Sequence, residues 1–197
     1  GTPTMYYGDE LGMQDGVIPP NQVHDPAEKR QPGIGMGRDP ERTPMLWTDR
    51  ENAGFTTGKS WLPIGPDYTL RSVETETKDP GSILSLYRSL LALRRKHPAL
   101  NAGDVYGVKP TDEGNQNVLA YRRTDGAERM QVVLNLTGEP QTVACPPGRV
   151  LLSTHSGQDS TAFAGSVTLD PQEGLLITLD EHLAGHSPLL RKREMPK

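Results

Sequence analysis

The chain is short of cysteine, phenylalanine and net positive charge, and it holds no long apolar run. Cys145 is its one cysteine among 197 residues, so no internal disulfide can form and no cysteine metal cluster exists. A single thiol fits a cytoplasmic protein without excluding secretion. Lys and Arg number 21 against 25 Asp and Glu, a formal net charge of −4. That balance argues against nucleic acid or an anionic membrane as an electrostatic partner. No apolar run approaches the roughly 18 residues that cross a bilayer. Nothing at the N-terminus resembles a signal peptide, but Gly1 is not a start residue, so this carries no weight.

What is abundant is Gly, at 21, and Pro, at 18, which favour turns and irregular loops over long helices. With 34% hydrophobic and 23% charged residues the composition is that of an ordinary globular protein. The length suits one sizeable domain, or a small domain with part of another. Thr2–Tyr7 is short, apolar to aromatic and closed by Gly8, and it reads as a buried strand. Asp9–Lys78 follows: 70 residues with eight Pro, eight Gly and no sustained period. Loops of that length are functional or disordered. This one holds Trp47, Trp61, Phe55 and Tyr68, and disordered linkers are poor in aromatics, so it reads as an ordered, functional excursion.

Asp79–Ala99 reads as one helix, with Asp79 as N-cap, Pro80 at the first helical position and Pro98 as the stop. Ile83, Leu84, Leu86, Tyr87, Leu90, Leu91 and Leu93 form a broad apolar stripe. Arg94–His97 complements the negative end of the dipole. After Gly103 the period becomes two. Asp104–Lys109, Val118–Thr124, Arg129–Thr137, Gln141–Cys145, Arg149–Thr154, Ser166–Asp170 and Leu175–Leu179 read as seven short strands of an antiparallel sandwich. Glu181–Lys197 reads as a frayed tail. The first strand and the helix could be the last β/α unit of a barrel. A lone unit of that kind buries little, so it belongs to something larger.

Two segments could carry chemistry. Gly8 permits a sharp exit from a strand, and Asp9 and Glu10 then sit where barrel active sites form. Either carboxylate could bond sugar hydroxyls, or serve structurally on backbone amides or an arginine. In Arg38–Trp47, two cations (Arg38, Arg42) mix with two anions (Asp39, Glu41). An arginine fork suits diol edges as well as carboxylates, and Trp47 and Trp61 could offer stacking faces. The competing reading is an Arg–Asp network bracing the loop, with Trp47 in the core. The Gly33–Gly37 run has no preceding strand and reads as loop flexibility. The histidines at 24, 97, 155, 182 and 186 show no ligand spacing except His182/His186, which lies in the tail and is not taken as a metal site. No nucleophile elbow, P-loop or dinucleotide fingerprint is present.

GTPTMYYGDE at Gly1–Glu10 and RDPERTPMLW at Arg38–Trp47 resemble two consecutive landmarks near the end of the catalytic barrel of the α-amylase family, glycoside hydrolase family 13, in its α-glucosidase/oligo-1,6-glucosidase branch. VHDPAEKRQPGIGMGR at Val23–Arg38, NAGFTTG at Asn52–Gly58 and the LRRKHPAL ending of the helix extend the likeness to about Gly103. Leu46 stands where similar enzymes carry Gln. The resemblance implies the last β/α unit of a TIM (β/α)8 barrel over 1–102, an antiparallel β-sandwich C-terminal domain over 103–180 and a tail over 181–197. It implies retaining cleavage of α-linked glucose, with an Asp nucleophile after strand four, a Glu acid after strand five and a third Asp after strand seven. None has a counterpart here, so no catalytic residue is assigned. Arg38, Arg42 and Glu10 are the substrate-binding candidates. No cofactor and no metal are assigned. The expected partners are an α-glucoside or oligosaccharide and the N-terminal barrel of the same protein. The alternative is a carbohydrate-binding or non-catalytic structural β-sandwich. Maltose, isomaltose, sucrose and trehalose chemistries stay open.

Overall fold

A computed structural model describes residues 3–110, 115–155 and 160–180. The tail over 181–197, with the His182/His186 pair, lies outside the described residues. The chain divides into two compact units, Gly1–Arg88 and Ser89–Lys197. Among the described residues no helix is long and apolar enough to cross a membrane.

In the first unit regular structure is sparse and local. Helix α1 (Pro26–Arg30) starts because the Asp25 carboxylate accepts the Ala27 amide at 2.8 Å and Pro26 needs no partner for its missing N–H. Helix α2 (Val73–Thr77) starts on Ser72, whose hydroxyl accepts the Thr75 amide at 3.1 Å. Single 3-10 turns occupy Asp9–Leu11, Pro20–Gln22, Pro40–Arg42 and Glu51–Gly54. Leu11, Met45, Leu46, Ala53 and Leu84 form a buried core, with Met13, Ile64, Tyr68 and Val73 packed against it. The long Asp9–Lys78 stretch is therefore ordered, as its aromatic content implied.

Over Pro3–Tyr7, the described part of the strand expected at Thr2–Tyr7, no strand is formed. Pro3–Tyr7 is exposed and carries no ladder bonds. A strand is completed by a hydrogen-bonded neighbour, and none lies beside this segment among the described residues. The expected helix is also shorter. Helix α3 spans Ile83–Lys96, and a separate short helix α4 spans Pro98–Asn101. Asp79 Oδ1 accepts the nearby Gly81 amide instead of capping the helix, and the start moves to where Ser82 Oγ accepts the Ser85 amide. The buried Glu76 carboxylate takes the Leu84 amide at 3.0 Å. At the other end, Pro98 forces His97 to φ −111°, ψ 106°, which ends α3 and begins α4.

Among its described residues the second unit has six antiparallel strands: β1 (Asp104–Pro110), β2 (Val118–Asp125), β3 (Glu128–Asn135), β4 (Gln141–Ser153), β5 (Ala162–Leu169) and β6 (Gly174–Leu179), in the order β1-β2-β3-β6-β4-β5. The two strands expected at Gln141–Cys145 and Arg149–Thr154 are one bulged strand, β4. Its first part pairs with β5 and its last part with β6, and the register shifts between Cys145 and Gly148. Pro146 and Pro147 donate no ladder bond, so the strand bends there instead of ending. The bend folds the sheet over. Asn115, just before β2, bonds Gln141 at the start of β4, although β3 and β6 lie between them in the ladder. The layered core so formed joins Val118, Ala120 and Val133 to Val143, Val150, Val167, Leu169, Leu175 and Ile177.

Short polar ties close the edges of this unit. Glu128, opening β3, accepts the Ala99 amide at 2.8 Å and meets His97 Nδ1 at 2.6 Å. Arg123 donates to the carbonyls of Ala99 and Gly103 at the far end of α4. The fully buried Asn135 donates to the carbonyls of Glu139 and Asp170 and accepts from Thr137. It thereby joins the β3–β4 connection to the β5–β6 turn.

Two outcomes follow from these contacts. A methyl group at Gly148 would press into the Thr178 carbonyl oxygen of β6, so Gly148→Ala is expected to cost roughly 1–3 kcal/mol in urea denaturation. Burial pushes the Glu128 carboxyl up, but the Ala99 amide and the His97 ring outweigh it and hold it below its ordinary 4.5. A depressed carboxyl adds stability that is full above the unfolded value and is lost as pH falls through the folded one. The Tm difference between the native chain and Glu128→Gln should therefore be widest near neutrality and narrow as pH drops below 4.5.

Candidate functional site

The two motif segments meet in the first unit. Tyr7 Oη donates to the Thr43 carbonyl at 2.9 Å, so Pro3–Glu10 is tied to Arg38–Trp47 across 36 positions. Burial raises the Tyr7 phenol above its ordinary value, the neighbouring Tyr6 adds to this, and the Arg42 charge opposes it. The Tyr6 and Tyr7 rings are 4.8 Å apart.

Each expected site residue has a defined place. Glu10 turns its carboxylate back on its own turn and accepts the Gly8 amide at 2.9 Å; Asp9 likewise accepts the Tyr6 amide. Gly8 sits at φ 95°, a conformation an L side chain resists, and this curls the chain so that both carboxylates can do so. Arg38 is braced: its Nε meets the buried Asp25 carboxylate at 3.0 Å while much of its side chain stays in water. Arg42 differs from both. Its half-buried guanidinium takes part in no hydrogen bond or ion pair among the described residues. No such contact joins Glu10, Arg38 and Arg42 to one another.

The brace around Arg38 is larger than the cation–anion pairs visible in the sequence. Asp39 is buried, and its Oδ2 accepts the amides of His24 (2.5 Å) and Asp25 (2.8 Å). Asp25 accepts Ala27 N, Arg38 N and Arg38 Nε. The Ala27 amide first, then the Arg38 guanidinium, holds the Asp25 carboxyl below its ordinary value. Glu28 on α1 accepts the amides of Gly33 and Gly37, so the glycine run is pinned, contrary to its reading as loop flexibility. These segments border an open hollow of about 360 Å³ lined by Asp15, Ile18, Val23, Glu28, Asp39 and Glu41 among others.

Aromatic faces are present. Trp47 and Trp61 are each about half exposed, at 49% and 48%, so neither is a core residue. Trp61 lies 5.7 Å from the His24 ring. Trp47 is carried by an unusual turn: Asn52, Ala53 and Gly54 are all left-handed, and the Ala53 carbonyl accepts the amides of Trp47 and Thr48. Left-handed backbone costs on the order of 1 kcal/mol or more at each non-glycine position. Leu46 is in the core, so its side chain offers no polar contact where a Gln would.

The sequence missed one constellation. His155, Asp170 and Glu173 place one donor atom each within 4.8 Å of one another in the second unit. Their separation along the chain matches no ligand spacing; only the fold joins them.

Comparison with known proteins finds matches along most of the chain. The alpha amylase catalytic domain profile matches residues 1–103, and that of the maltogenic amylase C-terminal domain matches 109–176. The chain is similar to the oligo-1,6-glucosidase of Parageobacillus thermoglucosidasius, 32% identical over 74% of this chain and 29% of that protein. It is similar also to the glucan 1,6-alpha-glucosidase of Streptococcus pneumoniae, 35% identical over 72% of this chain and 29% of the relative. Among solved structures, trehalulose synthase MutB of Pseudomonas mesoacidophila MX-45 superposes with a TM-score of 0.77 at 32% identity, covering 90% of this chain and 35% of that one. The chain spans about a third of the length of the relatives it matches.

The brace can be tested apart from any activity. Asp25→Ala removes the α1 cap and both Arg38 contacts, whereas Arg38→Ala removes only a half-solvated partner. The Tm should fall clearly in the first and little in the second, measured by thermal circular dichroism.

Proposed function

We propose a function that starts from membership: this chain belongs to the alpha-amylase family, by its match to the catalytic domain over residues 1–103. It is read as the C-terminal portion of a retaining α-glucosidase-type hydrolase acting on α-linked glucosides. The family profiles and the one-third coverage of glucosidase relatives support this. On this reading 1–102 ends the catalytic barrel, 103–180 is the C-terminal domain and 181–197 is a tail. The partners are an α-glucoside or oligosaccharide and the preceding barrel of the same protein. Retention needs two carboxyl groups about 5–5.5 Å apart across the scissile bond. In this proposal they lie on earlier strands, outside this chain. A cytoplasmic location is part of the reading. The single cysteine, which leaves no internal disulfide to form, fits that location.

One observation carries the site assignment: Arg42 is the motif arginine left without a partner. Arg38 spends its Nε on Asp25 and Glu10 its carboxylate on Gly8. Arg42 instead makes no side-chain hydrogen bond or ion pair among the described residues, its charge is felt at the Tyr7 phenol, and the Tyr7–Thr43 bond ties the backbone one residue away. A guanidinium so placed can give two parallel hydrogen bonds to a sugar diol. Arg42 is thus the principal substrate contact, Arg38 a secondary one through its exposed terminal nitrogens, and Glu10 a shaper of the turn that can also reach a hydroxyl. The half-exposed Trp47 and Trp61 supply apolar faces for sugar rings.

In the intact enzyme, Arg42→Ala should lower kcat/KM for an aglycone-bearing α-glucoside by roughly 10–100-fold while leaving Tm within a degree or so. A collapse of Tm instead would make Arg42 a structural brace and end its assignment to substrate. The 197-residue chain by itself should release no glucose from maltose or an aryl α-glucoside. Turnover above a matched blank would overturn the placement of the catalytic carboxylates.

A further inference from the structure

We propose that the second unit carries a divalent transition-metal site built from His155, Asp170 and Glu173, with Zn²⁺ as the ion it suits best. Nothing in the glucosidase reading calls for it. The three donor atoms lie within 4.8 Å of one another. They come from two places that the fold brings to one end of the sheet. His155 follows β4, and Asp170 and Glu173 frame the turn between β5 and β6.

The set differs from a surface patch of acids in three ways. First, an imidazole joins two carboxylates, a mixed nitrogen and oxygen set that suits Zn²⁺ and its neighbours better than hard cations such as Ca²⁺, which want six to eight oxygens. Second, two of the donors are uncommitted. The half-buried His155 ring and the exposed Asp170 carboxylate enter no hydrogen bond or ion pair among the described residues, although their backbones do. Third, the remaining donor is held fixed. Glu173 is 1% exposed, the Ser153 hydroxyl donates to its Oε1, and the Asp170 amide donates to its Oε2 at 2.8 Å. These bonds fix the orientation of the group. Such supporting bonds around a ligand are what tune a metal site.

The turn itself is anchored. Asn135 donates through Nδ2 to the Asp170 carbonyl at 2.7 Å and through its amide to the Glu173 carbonyl at 2.9 Å. Gln172 donates to the Thr137 carbonyl, and the Thr154 amide donates to the Gly174 carbonyl. Bonds to Zn²⁺ run about 2.0–2.2 Å, which puts neighbouring donors about 3.3 Å apart around the ion. On this proposal His155 and Asp170, the two more accessible side chains, rotate to close the present spacing of up to 4.8 Å to that value. Water would complete the coordination. The ion would staple the end of β4 to the β5–β6 turn and neutralise a buried carboxylate.

The test uses the full chain and ZnCl₂ in isothermal titration at neutral pH, with Tm read with Zn²⁺ and again after EDTA. One ion per chain is expected, with a Tm rise that EDTA reverses. His155→Ala and, separately, Asp170→Asn should each weaken binding by at least roughly tenfold. Asp170→Asn keeps every backbone bond of the turn, so it reports on ligation even if His155→Ala perturbs the fold. A His182→Ala/His186→Ala double variant should bind as the native chain does. Absence of binding would overturn the proposal. So would binding unchanged in both His155→Ala and Asp170→Asn, or binding lost in the tail double variant alone.

Discussion

Buried backbone amides that have no ladder to join need acceptors, and carboxylates supply them throughout the first unit. A backbone N–H taken from water without a partner costs free energy comparable to a lost hydrogen bond. Asp39 takes the amides of His24 and Asp25, Asp25 takes those of Ala27 and Arg38, and Glu76 takes that of Leu84. Glu28, Asp9 and Glu10 repeat the device nearer the surface. With these bonds a region whose described residues before α3 hold two five-residue helices and a few 3-10 turns still brings Leu11, Leu46 and Ala53 into one core.

The same constraint sorts the site residues. Carboxylates occupied by amides, and an arginine occupied by a carboxylate, are held in place but have less to give a ligand. That is why Arg42 stands apart from Arg38, although the two differ by four positions and share a motif. The Tyr7–Thr43 bond matters for the same reason. It ties the backbone beside Arg42, while the guanidinium itself enters no hydrogen bond or ion pair among the described residues. The left-handed Asn52–Gly54 turn does similar service for Trp47: its Ala53 carbonyl takes the Trp47 amide while the indole remains half exposed.

The second unit solves its problem by pairing. Every strand has a neighbour, and the bend of β4 at Pro146–Gly148 turns one sheet into two facing layers. Connections between strands are then tied by single buried polar groups. Asn135 is the fullest case, with its backbone and side chain all engaged. Turns held this firmly keep Asp170 and Glu173 in a set relation to the end of β4.

Much was legible in the chain by itself. Periodicity two after Gly103 located the strands of the second unit to within a few residues, because alternation is a direct consequence of one buried face. The apolar stripe from Ile83 to Leu93 marked α3, and the two motif segments pointed to the alpha-amylase family. Aromatic content separated an ordered excursion from a linker. What the tertiary structure decided was where polar groups spend their bonds. Asp79 and Ser82 are both competent caps, and only the geometry around Glu76 and Ser85 selects the later start of α3. The Arg38–Asp25 pair, the free Arg42 and the convergence of His155 with Asp170 and Glu173 join residues that the fold, not the spacing, makes neighbours. A hydrogen bond or a ligand set depends on distances of a few ångströms between side chains, and local sequence encodes the elements that carry those side chains but not the distances between them.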